Sequence, residues 1–141
     1  MEILFRQLDK IDELLEQISI ITFNQTTVLM QPNTDEEEKI KLLETMVDYK
    51  EEIINELEKV EDQFNSEYTK KREQICTNRE VVVKFKERVQ KILEKKQTIQ
   101  EMEEKNVRTL CERSSVKLEP VKILKNPNEA VAAYKKQQTK C

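Results

Sequence analysis

Residues 40–110 read IKLLETMVDYKEEIINELEKVEDQFNSEYTKKREQICTNREVVVKFKERVQKILEKKQTIQEMEEKNVRTL, and the whole stretch from Asp35 to Glu119 contains neither glycine nor proline. A seven-residue apolar repeat keeps one phase through it. One series runs Ile40, Val47, Ile54, Glu61, Tyr68, Ile75, Val82, Val89, Lys96, Glu103 and Leu110. The other runs Leu43, Lys50, Leu57, Phe64, Lys71, Asn78, Phe85, Ile92, Ile99 and Asn106. Apolar residues at this spacing form one stripe along a helix, so the segment is helical and built to pack on other helices.

The stretch fits either one continuous rod or two helices folded back on each other. Unbroken repeat phase favours the rod. Against it, Cys76-Thr77-Asn78-Arg79-Glu80 carries a capping-box pattern in Thr77 and Glu80, and Asn78 tolerates turn conformations. Charge changes sign at the same place. Residues 1–75 hold 9 Lys/Arg against 19 Asp/Glu, a net of -10, and residues 76–141 hold 16 against 9, a net of +7. Acidic and basic halves favour lying side by side. The sequence therefore predicts an antiparallel hairpin of two long helices, about 35–75 and 78–113.

Outside this stretch, Leu4, Leu8, Ile11, Leu15 and Ile18 place a first helix over about 2–29. Ile20, Ile21 and Phe23 widen its stripe, so that near Ile18 the helix is apolar around most of its circumference and should meet neighbours on two sides. Gln31-Pro32-Asn33-Thr34 ends it, and Thr34 with Glu37 forms a capping box for the second helix. Residues 114–125 read as an irregular linker around Pro120. Asn126-Pro127-Asn128-Glu129 then opens a short last helix over about 127–138, whose small apolar face includes Tyr134. The expected fold is an all-α bundle over 1–113, followed by a linker and short helix over 114–141.

Composition narrows the function. The 141 residues are 38% charged and 5% aromatic, with no glycine, tryptophan or histidine. Phosphate-cradling loops need glycine and general bases are most often histidine, so an enzyme is not expected and no catalytic residue is assigned. Carboxylate clusters at Glu36–Glu38 and at Glu101, Glu103 and Glu104 read as solvated helix surface, with no metal or cofactor. Lys84, Lys86, Arg88, Lys91, Lys95 and Lys96 are interleaved with Glu80, Glu87 and Glu94, a weak footprint for nucleic acid. Cys76, Cys111 and Cys141 are too widely spaced for a metal motif and read as free thiols. The first residues lack the basic start of a signal peptide, and the uncharged run Gln17–Thr34 is too polar to span a bilayer. These features point to a cytoplasmic protein without membrane insertion.

What remains is a helical binding surface. Phe85, Val89, Ile92, Ile99, Met102, Val107 and Leu110 supply a stripe long enough to hold the second helix and part of a partner.

Three stretches carry a resemblance to a known family. Leu43-x-x-Met46-Val47-x-Tyr49-Lys50-Glu51-Glu52-Ile53-Ile54 continues through Leu57 to Phe64-x-x-x-Tyr68. Ile92 onward includes Ile99-Gln100-x-x-Glu103-x-x-Asn106, and the chain closes on Ala130-Val131-Ala132-Ala133-Tyr134-Lys135. Together they resemble bacterial flagellar export chaperones of the FlgN and FliT kind, over about three quarters of the chain. The resemblance implies a small helical chaperone that binds a late export substrate, prevents its early assembly and presents it to the export machinery. By that analogy partner contacts fall on Val89, Ile92, Ile99, Met102 and Tyr134. The rival readings are a coiled coil that self-associates, such as a homodimer, and a regulatory helical binding module.

Overall fold

The computed structural model describes residues 2–31 and 35–114, and within them the chain is three helices with no strand. The expected last helix over 127–138, with Tyr134, lies outside the described residues. Helix α1 spans Glu2–Met30, α2 spans Glu36–Cys76 and α3 spans Arg79–Ser114. At about 1.5 Å per residue the 41 residues of α2 make a helix about 60 Å long.

The break between α2 and α3 falls at Thr77 and Asn78, and the repeat passes through it in phase. The backbone amide of Thr77 donates to the Glu73 carbonyl at 3.2 Å, closing α2. Asn78, not Thr77, caps α3, because its Oδ1 accepts from the Val81 amide at 3.3 Å and its carbonyl accepts from the Val82 amide at 3.0 Å. Thr77 turns its hydroxyl back and donates to the Gln74 carbonyl at 2.8 Å, so the expected Thr77–Glu80 box gives way to an asparagine cap. Likewise α2 is capped by Asp35, whose side chain accepts from the Glu37 amide at 3.2 Å; Thr34 lies outside the described residues. Glu36, Glu37 and Glu38 follow in the first turn, where negative charge complements the helix dipole.

Charged groups at core positions show how the helices run. Lys50 meets Glu103 and Glu61 meets Lys96, so moving forward along α2 moves backward along α3. Along α1, Lys10 pairs with Glu56 and Gln25 with Lys50, again antiparallel to α2. Asp9 pairs with Arg88, Asp12 with Lys95 and Thr26 with Asn106, which sets α1 parallel to α3. The result is an up-down-up bundle. The first helix is more central than the hairpin reading implies: α1 packs extensively on both other helices, whereas α2 and α3 touch each other least.

The reason lies in the α1 stripe. Leu4, Leu8, Ile11, Leu14, Leu15 and Ile18 are all essentially without exposure, and they enter a core with Ile53, Ile54, Leu57, Phe64, Tyr68, Phe85, Val89, Ile92 and Ile99. Fully burying each such side chain is worth about 1.5–3 kcal/mol. Near the α2–α3 turn, Phe85 stacks on Tyr68 and on Phe64 at centroid distances of 5.1 and 5.8 Å. Cys111 is a free, half-buried thiol as expected; Cys76 is disulfide-bonded, which corrects the expectation for that residue, and Cys141 lies outside the described residues. No described helix is long and apolar enough to cross a membrane.

Candidate partner-binding face

A core of this kind should be apolar throughout, yet one layer is polar in all three helices at the same level. Lys50 is wholly buried, and its ammonium donates to Gln25 Oε1 at 2.6 Å, to Thr22 Oγ1 at 3.4 Å and to the Glu103 carboxylate in a short ion pair. Asn106 Nδ2 donates to the Thr22 carbonyl at 3.1 Å, and its Oδ1 accepts from the Thr26 hydroxyl at 2.7 Å. Glu103 was expected on solvated surface. It is instead buried, because it neutralises Lys50.

Desolvation pushes the Lys50 ammonium below its usual pKa of 10.5, with the Glu103 charge and hydrogen bond opposing that shift. Such a layer adds little net stability, since the desolvation of two ions offsets much of their attraction. It does constrain register, because sliding one helix past the others separates Lys50 from Gln25 or from Glu103. A second crossing pair, Lys96 Nζ to Glu61 Oε2 at 2.7 Å, constrains α2 against α3 in the same way.

The layer divides the apolar interior. Beyond it, Val28, Leu29 and Leu43 form a separate small cluster with Met46 and Leu110 packed against it. The order repeats in each helix: Ile18, then Thr22 and Gln25, then Val28 in α1; Ile53, Lys50, Leu43 in α2; Ile99, Glu103 and Asn106, Leu110 in α3. The bundle therefore has a large apolar end near the α2–α3 turn and a smaller end beyond the polar layer.

The outer surface at that smaller end is unusual. From Gln17 to Gln31, α1 and the residue following it carry no charged residue, in a chain that is 38% charged. Ile20, Phe23 and Met30 are 53%, 61% and 63% exposed, and with Thr27 they recur at intervals of three and four residues as a second stripe, on the side of α1 opposite its core. On α2, Leu42 and Tyr49 are also about half exposed and lie at the same end. The apolar circumference near Ile18 thus resolves into one buried side and one open side. Scattered exposed apolar residues need no explanation, but a stripe of them on an uncharged helix is a candidate docking surface.

The residues assigned to partner contact by sequence lie elsewhere. Val89, Ile92 and Ile99 are in the main core, packed with α1 and α2, and Met102 is half-buried against it. None of the first three presents a surface to a partner in the closed bundle, because α1 takes the place the partner was expected to fill. Tyr134 lies outside the described residues. The basic run of α3 is also engaged, with Arg88 on Asp9, Lys95 on Asp12 and Glu16, and Lys96 on Glu61. These pairs join the acidic first half to the basic second half, as the charge asymmetry implies.

Two signals in the sequence mark what that reading passed over. The uncharged run from Gln17 contains Ile20 and Phe23, and the polar residues Lys50, Glu103 and Asn106 occupy repeat positions where an apolar residue is expected. Compared with family models, with characterised proteins and with solved structures, the chain matches none.

Proposed function

We propose that this protein is a helical chaperone or binding module that receives an amphipathic helix of a partner protein on the outer face of α1. The observation that carries the reading is the uncharged stripe of Ile20, Phe23, Thr27 and Met30, exposed where the rest of the surface is densely charged. A helix laid along it would bury these side chains as its own apolar positions met them at three- and four-residue spacing. The surrounding α1 surface has no charge to desolvate, which lowers the cost of covering it.

The resemblance of Leu43–Tyr68 and Ile92–Asn106 to flagellar export chaperones supplies the class of cargo: a late export substrate with amphipathic terminal helices, held in the cytoplasm before secretion. Self-association is the second reading. It is favoured by the same absence of charge, because a two-fold pairing of two such faces brings no like charges together.

A photo-crosslinking amino acid placed at Phe23 in the source cells, with Lys59 as a control site, tests the assignment. The chaperone reading expects an adduct with another protein from position 23 and none from position 59. An adduct containing only a second copy of this chain would favour self-association, and equal labelling from both sites would remove the assignment to α1.

A further inference from the structure

We propose that the Lys50 layer makes the small end of the bundle a separately opening unit: the last two turns of α1, the α2 segment around Leu43 to Lys50 and the α3 segment from Glu103 to Leu110 detach together while the aromatic end stays closed.

Three observations converge. The polar layer crosses all three helices at one level, so it interrupts apolar contact along the entire cross-section. Among the described residues, the end beyond it is held by three buried apolar residues, Val28, Leu29 and Leu43, with Met46 and Leu110 packed against them. At the other end Phe64, Tyr68 and Phe85 stack across a two-residue turn that ties α2 covalently to α3.

Opening also hydrates Lys50 and Glu103, which returns part of the desolvation cost of burying them. Local openings of this kind follow the regions with the fewest buried apolar contacts. The consequence for binding is geometric. Detachment adds Val28, Leu29 and Leu43 to an apolar surface that already includes Phe23 and Met30, giving a partner helix a groove instead of a ridge. The opening itself does not depend on whether α1 receives a partner.

Native-state hydrogen exchange on the full chain, at a series of low urea concentrations, tests this. Amides of Gln25–Leu29, Met46–Lys50 and Glu103–Val107 should exchange through one shared opening with a common urea dependence, at least about tenfold faster than amides of Leu57–Phe64 and Val89–Ile92. In the double variant Lys50→Met with Glu103→Leu, which replaces the ion pair by apolar side chains, the gap should shrink about tenfold as protection of the small end rises. Uniform protection in the wild type would overturn the proposal. So would protection that falls gradually towards each helix end without a shared urea dependence, the pattern of fraying. A separate opening left unchanged in the double variant would show that the Lys50 layer does not set it.

Discussion

Lys50 is the residue on which the account can be tested most sharply. Its ammonium is satisfied by Gln25, Thr22 and Glu103 together, so removing one ion from the pair differs from removing both. Lys50→Met alone leaves the Glu103 carboxylate buried without its counter-ion and should lower stability by about 3–5 kcal/mol in urea titration, whereas adding Glu103→Leu should restore most of the loss. The lowered pKa gives a further expectation. With the folded-state value below 10.5, the unfolded chain holds a proton on this residue that the folded chain has begun to release, so stability contributed by Lys50 rises with pH through that window. Urea midpoints of the wild type should therefore gain on those of the double variant as pH increases from 7 towards 10.5, and a parallel or opposite trend would show that burial does not depress the ammonium. Ile92 follows the opposite logic. Because it is in the core, Ile92→Asp should destabilise the whole bundle by several kcal/mol rather than remove a binding surface.

At the level of elements, the boundaries rest on asparagine and aspartate caps. Asn78→Ala removes the side-chain acceptor that satisfies the Val81 amide, and should lower stability by about 1 kcal/mol in chemical denaturation. Thr77→Ala removes only a hydroxyl donated backwards to the Gln74 carbonyl and should cost less; the reverse order would return the cap to Thr77. The helices and the turn were legible in the sequence because absent glycine, periodic leucine and isoleucine, and a local change of charge all act within a few residues. The position of α1 was less legible. Its core stripe, from Leu4 to Ile18, is plain, but periodicity does not say which neighbour a stripe meets. Consequently Val89, Ile92 and Ile99 looked available to a partner when α1 already covers them. Lys50 and Glu103 stand in two separate repeat series, and only the antiparallel register brings them together.

For the molecule as a whole, the bundle replaces a rod that the unbroken repeat also permitted. Labels at Thr45 in α2 and Lys105 in α3 should lie close together, as expected for packed helix axes about 10 Å apart, rather than the about 90 Å that sixty residues of continuous helix would give. A distance near the larger value, measured by pulsed electron resonance, would remove the fold described above. The same arrangement concentrates three features at one end: the uncharged α1 surface, the polar layer and the small apolar cluster beyond it. Binding at this end is the central claim, and Ile20 and Phe23 are two of its exposed anchors on α1. The direct measurement is calorimetric affinity for the protein crosslinked at position 23, using the wild type, the Ile20→Glu/Phe23→Glu variant and a Val83→Glu control on α3. The double variant should bind about 100-fold more weakly with an unchanged melting temperature, and the control should bind normally. Undiminished affinity in a folded double variant would contradict the assignment of the binding face to α1.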